Sequence, residues 1–185
     1  MPQNFGPTLE GDVERVLVGE DDLRKKCAEL GALIARDYEG KTPVLVGVLS
    51  GAAVFMSDLI RCISIPAELD FIVVSSYGKG AVSGDLQFKK DVSIDLRGRH
   101  VLIIEDLIDT GRTLKAIGDL FSSRGAVSVE FCTLLDKKAR RVVDVPIKYI
   151  GFECPDEFVI GYGIDYAERY RNLPYVAALK RSVYE

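Results

Sequence analysis

Val101-Leu102-Ile103-Ile104-Glu105-Asp106-Leu107-Ile108-Asp109-Thr110-Gly111-Arg112-Thr113 is the stretch that decides how this chain reads. Four apolar residues without alternation describe a strand covered on both faces, as in a parallel sheet between helix layers. Two carboxylates follow at once and a third comes three residues later. A small turn then opens a helix expected over residues 113–123,. In open α/β sheets, ligands sit beyond the carboxyl ends of the strands, which is where Glu105 and Asp106 fall. Adjacent strand residues point to opposite faces, so both carboxylates reach one ligand only if the chain turns there. Carboxylates accept hydrogen bonds from hydroxyls, of which a ribose diol offers two, and they suit Mg2+. The turn amides and helix start that follow favour a phosphate. Thr110 and Thr113 add hydroxyl donors there, and Gly111 lets the backbone come close. The string therefore suits a molecule carrying both a sugar diol and a phosphate. It is neither a GxxxxGK[ST] loop nor a G-x-G-x-x-G fingerprint.

The rest of the chain is organised around that strand. Val44-Leu45-Val46-Gly47-Val48-Leu49 is a second continuous apolar run, preceded by a helix over residues 20–38. That helix buries Leu23, Cys27, Leu30 and Ile34 at helical spacing and is ended by Gly40 and Pro43,. A helix to about residue 60 follows Ser50-Gly51. Further strands are expected at 69–77, 127–135, 149–153, 158–162 and 176–179, with a short edge strand at 16–18. The first dozen residues read as a loose arm. Residues 78–84 hold three glycines and read as a mobile loop, and residues 91–99 are polar with a turn at Gly98,. Strands alternating with helices give an α/β fold with a mostly parallel central sheet flanked by helices. A small hood lobe is expected from the terminal segments. We expect one domain over residues 1–185.

Composition narrows the function. With 185 residues and 48% hydrophobic content the chain can bury a sizeable core,. A net charge of −4 with no Lys/Arg block points away from nucleic acid,. An anionic ligand must therefore be held by local devices. Cys27, Cys62, Cys132 and Cys154 are far apart and His100 is the lone histidine, which disfavours a structural zinc site,. No leader pattern or membrane span is apparent, so a cytoplasmic setting is expected.

Taken with its neighbours, the opening string resembles the phosphoribosyl-diphosphate signature of the type I phosphoribosyltransferases. Val48-Leu49-Ser50-Gly51-Ala52 resembles the first active-site loop of the hypoxanthine-guanine members, and Ser75-Ser76-Tyr77-Gly78 their flexible loop. Leu134-Leu135-Asp136-Lys137, Gly151-Phe152-Glu153 and the run from Pro155 to Tyr166 are similar to their purine-binding segment. Arg171-Asn172-Leu173-Pro174-Tyr175 completes the likeness, which covers roughly residues 12–184.

The resemblance implies a purine-salvage transferase. It would join N9 of a 6-oxopurine (hypoxanthine, guanine, possibly xanthine) to C1 of 5-phosphoribosyl 1-diphosphate, expelling pyrophosphate with help from Mg2+. Glu105 and Asp106 would hold the ribose hydroxyls and help place Mg2+, and Asp165 would hold a second Mg2+. Asp109, Thr110, Gly111, Arg112 and Thr113 would cradle the 5'-phosphate, with no side-chain role for Arg112. Asp109 would also take the purine N7 proton as general base or acceptor. Lys137 would donate to the purine O6, Phe158 stack on the base and Val159 offer backbone groups. Arg171 would pair with pyrophosphate. Ser75 and Tyr77 would belong to a lid hinged at Gly78, Gly80 and Gly84. Ser50 departs from the family, whose members often carry Lys or Arg there. Ser50 and Gly51 would keep the amides that bind pyrophosphate, on a backbone that in the family is often a non-proline cis peptide. A homodimer or homotetramer is implied. Two alternatives stay open: a phosphoribosyl-diphosphate-sensing regulator without catalysis, and an enzyme of the same fold acting on another base.

Overall fold

The computed structural model describes residues 7–76 and 86–185. In chain order these form α1 (Pro7–Glu10), β1 (Val13–Val18), α2 (Glu20–Asp37), β2 (Val44–Leu49), α3 (Ala53–Ile60), β3 (Glu68–Ser76) and β4 (Leu86–Lys90). Then come β5 (His100–Ile108), α4 (Arg112–Ser123), β6 (Ser128–Asp136), a 3-10 turn at Lys138–Arg140, β7 (Tyr149–Glu153), β8 (Val159–Ile160), β9 (Val176–Leu179) and α5 (Arg181–Tyr184). The main sheet runs β4-β3-β2-β5-β6-β7. All its pairings are parallel except that of β4 with β3. A separate antiparallel sheet, β1-β9-β8, forms the hood. The α/β architecture and the hood of terminal segments are as the sequence implies.

The apolar runs alternate once they are seen in the sheet. Leu102 and Ile104 of β5 join Leu45 of β2 in a core under α2 and α3, with Leu23, Leu30, Ile34, Phe55 and Leu59. Val101 and Ile103 join Val44, Val46 and Val48 on the opposite face, under Leu114, Ile117 and Phe121 of α4. Each such side chain taken fully from water contributes roughly 1.5–3 kcal/mol. This two-sided burial fixes β5 at the middle of the sheet and so fixes where its carboxylates emerge.

Three strand expectations need correction. β5 does not stop at Ile104 but pairs with β6 as far as Ile108, so Glu105 and Asp106 lie on a strand rather than past its end. β4 was not anticipated, because Gln87, Phe88, Lys89 and Lys90 carry no apolar alternation and are exposed, as suits an edge,. The strand expected over 158–162 is only the two residues of β8. Gly161, Tyr162 and Gly163 all have positive φ, which no strand accommodates,. Within the supposed loose arm, Pro7–Glu10 is α1, and residues 1–6 lie outside the described residues. Residues 77–85, including the expected lid residue Tyr77 and the hinges Gly78, Gly80 and Gly84, lie outside the described residues. Ser75 is on β3, paired with Gln87 of β4. Among the described residues no helix is long and apolar enough to cross a membrane.

Candidate active site

A cleft of about 910 Å³ opens beyond the carboxyl ends of β5 and β6, beneath the hood. It brings together Asp109, Lys137, Phe158, Val159 and Asp165, five of the expected site residues. Lys137 follows β6 directly and its backbone is held by the Ile108 carbonyl at 3.0 Å. Its side chain is buried, and Nζ donates to the Glu157 carbonyl at 2.8 Å. An ammonium has three donors, so Lys137 can keep that bond and still offer a proton to a ligand.

Asp109 is the residue with an unmet need. Its Oδ1 is shielded from solvent and has no hydrogen-bond partner. The nearest cation is the Arg140 guanidinium, with Nε at 3.5 Å. A buried acceptor without a donor is costly and calls for a ligand that brings one. Arg141 fixes the other end of the residue by donating from Nε to the Asp109 carbonyl at 3.2 Å, while its Nη2 pairs with the buried Asp136. Beyond Asp109 the chain enters α4 through Gly111 at φ +83°. A Cβ on Gly111 would lie 2.5 Å from the Val143 carbonyl oxygen, so glycine is required twice over,. Thr110 is pinned through its carbonyl by the amides of Val142 and Val143, both at 3.0 Å. The first-turn amides of α4 open there, beside Thr113 and the exposed Arg112,.

Glu105 and Asp106 form a second cluster with the loop after β2. The chain does not turn between them. Their side chains instead fold back until the two carboxyls meet, with Glu105 Oε1 accepting from the Asp106 amide at 3.2 Å. Burial pushes the Glu105 carboxyl well above its usual range, and the adjacent Asp106 charge pushes it further. Burial raises Asp106 as well, opposed by hydrogen bonds from Glu105 and the Leu107 amide and by the Arg171 charge. Both carboxyls are thus held above their usual range, Glu105 the further of the two. A buried carboxyl beside a half-buried one, without a full counter-charge, is a donor set that suits a hard divalent cation, and Mg2+ ordinarily takes only one or two protein carboxylates,. Among the described residues no three His, Cys, Asp or Glu side chains converge on one point, so substrate oxygens and water would complete its shell.

The backbone is unusually close here. The Leu49–Ser50 peptide is cis. A Cβ on Gly51 would fall 1.8 Å from Asp106 Oδ2, and one on Gly163 would fall 2.2 Å from the Gly51 carbonyl oxygen. Asp106, Gly51 and Gly163 are therefore stacked with no room between them. Arg171 closes the cluster by donating from Nη1 to the Gly163 carbonyl at 2.8 Å and pairing with Asp165 at 2.9 Å and Glu168 at 3.1 Å. Asp165 also accepts from the Glu168 amide. Ser50 is exposed. Arg171 does not line the large cleft. It lines a second cavity of about 530 Å³ between α2, α3 and the Asn172–Pro174 segment. Asp165 lines the first cavity and pairs with Arg171, which lines the second.

Arg140 and Arg141 were not anticipated, and Ile164, within the run likened to a purine-binding segment, is given no role of its own by that likeness. Ile164 faces the cleft among Phe158 and Val159. The dibasic Arg140-Arg141 just past Lys137-Lys138 was the available signal for the first two. Lys138 itself pairs with Glu153 away from the cleft.

Comparison with known proteins identifies the family. The model of the phosphoribosyl transferase domain matches residues 20–167. The hypoxanthine-guanine phosphoribosyltransferase of Streptococcus pneumoniae is 50% identical over 177 residues, spanning 95% of this chain and 98% of the relative. The crystal structure of a hypoxanthine phosphoribosyltransferase from Staphylococcus aureus superposes with a TM-score of 0.94 at 48% identity, covering 98% of this chain and all of that one. A hypoxanthine-guanine phosphoribosyltransferase from Bacillus anthracis, solved with a HEPES molecule in its active site, gives 0.88 at 44% identity over 91% of this chain and 100% of its own. With the domain model matched over most of the chain and close relatives aligned along nearly their whole length, the chain belongs to the phosphoribosyltransferase family, in its hypoxanthine-guanine group.

Proposed function

We propose that this enzyme joins a 6-oxopurine to 5-phosphoribosyl 1-diphosphate, giving the purine nucleoside 5'-monophosphate and pyrophosphate. N9 forms a bond to C1 of the ribose, and the C1–O bond to the diphosphate breaks with its electron pair leaving on pyrophosphate. The proton on the imidazole ring of the purine passes to Asp109. The observation that carries the reading is the shielded Oδ1 of Asp109, which accepts no hydrogen bond, has the Arg140 guanidinium 3.5 Å away and shares a cleft with the Lys137 ammonium. An acceptor and a cationic donor on one wall suit a purine presenting a ring N–H and a 6-oxo group. A 6-amino ring would set donor against donor at Lys137. Ribosyl transfer develops oxocarbenium-like positive charge, and the carboxyls of Glu105 and Asp106 face that charge. The α4 start would take the 5'-phosphate, and the Ser50-Gly51 amides with Arg171 the pyrophosphate.

Mg2+ fits at Glu105 and Asp106, where it would neutralise the diphosphate leaving group. Asp165, already engaged by Arg171, is the weaker candidate for a second ion. Xanthine as a further substrate, cytoplasmic residence and a homodimer or homotetramer belong to the same proposal. The last is tested by sedimentation. The four free thiols suit a reducing compartment,. The deciding assay is pyrophosphate release with hypoxanthine, guanine, xanthine and adenine in turn, with Mg2+ and with chelator. Asp109→Asn should cut turnover by about 100-fold or more while binding of the diphosphate substrate holds. Turnover within about threefold of wild type would remove Asp109 from the chemistry.

A further inference from the structure

Phe158 is 40% exposed, high for a phenyl ring lining a cleft. Two other aromatic rings touch it. Tyr184 of α5 stacks on it, with centroids 5.0 Å apart and planes at 30°. Tyr166 meets it edge-on, with centroids 5.1 Å apart and planes at 87°. A phenyl ring has two faces. Tyr184 stacks against one and Tyr166 approaches at right angles, and the exposed remainder of the ring is open to a ligand. Phe158 lines the cleft that also holds Lys137, Val159 and Ile164, and Tyr184 lines the same cleft beside it.

The backbone before Phe158 is held by other means. The Glu157 carbonyl accepts from Lys137, and the Glu157 carboxylate pairs with Arg15 of β1 at 2.7 Å. Neither bond sets the rotation of the neighbouring phenyl, whose terminal torsion is broad when nothing packs on it. Tyr184 can set it because α5 is itself anchored. The Lys180 amide donates to the Asp12 carbonyl at 2.9 Å, and Lys180 Nζ to the Gly11 carbonyl at 2.6 Å.

We propose that Tyr184 is a positioning residue for the purine. It packs on Phe158 within the cleft wall and holds its ring in the plane on which the base stacks. The proposal rests on the 6-oxopurine reading of the cleft. Tyr184 touches no reacting atom, so its loss should weaken base binding and leave the chemical step alone.

The test is steady-state kinetics with hypoxanthine and phosphoribosyl diphosphate on wild type, Tyr184→Ala, Tyr184→Leu and Tyr184→Phe. Losing one aromatic stack should raise the hypoxanthine KM about fivefold in the Ala and Leu variants. Both kcat and the phosphoribosyl diphosphate KM should stay within about twofold of wild type, and Tyr184→Phe should match wild type throughout. Leucine keeps the bulk without the flat face, so it separates stacking from filling. An unchanged hypoxanthine KM overturns the proposal. So does a lowered one, which would mean that Tyr184 occupies the base's own place. A parallel rise in both KM values, or a Phe variant as impaired as Ala, overturns it too. A wild type that uses no 6-oxopurine overturns the parent reading and this one with it.

Discussion

Replacing Gly51 by alanine tests the close stacking of Gly51 on Asp106. The added Cβ would sit 1.8 Å from Asp106 Oδ2 and 2.6 Å from its Cγ, where ordinary contact begins at 3.4 Å. The carboxylate must therefore retreat by roughly 1.6 Å, since overlap of that size is not tolerated between packed atoms. Its retreat is resisted. Oδ1 accepts from the Leu107 amide at 2.7 Å, and Glu105 is pressed against it. Misplacing a catalytic group by about 1 Å can cost on the order of 100-fold. That loss is expected in kcat/KM for phosphoribosyl diphosphate, measured by pyrophosphate release at saturating hypoxanthine. Overpacking should cost only about 1–3 kcal/mol of stability, so the protein remains folded in the assay. Gly19→Ala is the control, since its Cβ would have nothing nearer than 4.0 Å. A Gly51→Ala enzyme that retains kcat/KM within about fivefold of wild type, a small loss beside that expectation, refutes the reasoning.

Two further predictions concern stability. Asp70 is buried, which by itself raises its pKa, yet hydrogen bonds from the Ile94, Phe71 and Ser93 amides and from Lys90 outweigh this and hold the carboxyl below its usual range. Asp70→Asn must turn an amide NH2 towards one of the two donor pairs, and should cost about 2–4 kcal/mol in denaturant titration. Because the folded-state pKa is depressed, the stabilisation is present above the unfolded value near 4 and lost as pH falls through the folded value. Wild type should therefore lose stability below about pH 4 by a share that Asp70→Asn does not lose. Equal acid slopes in the two proteins would contradict this. Arg141→Ala strands the buried Asp136 carboxylate and should cost about 3–5 kcal/mol, lowering the thermal midpoint by on the order of 10 °C. Arg141→Lys should recover only part of it, because lysine cannot hold Asp136 and the Asp109 carbonyl with one planar fork. Full recovery would show that charge alone is used.

The sheet was legible because its inner strands are apolar on both faces, and Val101–Ile104 and Val44–Leu49 advertise that without help. The edge strand β4 was not, since an edge has little to bury. Asp109, Lys137 and Phe158 could be picked out because each follows a strand end or sits in a recognisable run. Their partners could not. Tyr184 meets Phe158, and Asp70 meets Ile94, across more than twenty residues of chain that share no local pattern. The spacing of Arg171 and Asp165 also left unsaid that the guanidinium already spends itself on Asp165 and on the Gly163 carbonyl.

The hood has a consequence for how the protein comes off the ribosome. β1 finds its sheet partner in β9, about 160 residues later, and β8 pairs there as well. Until Val176–Leu179 has emerged, Val13–Val18 has no strand to pair with while the six-stranded sheet behind it can already assemble. Synthesis thus delivers the proposed phosphate cradle first and the roof of the proposed base cleft last. A nascent chain stalled before residue 176 should hold the cradle and lack a closed base site. Premature termination in that window yields a body whose first strand is an unpaired edge, open to association with other chains.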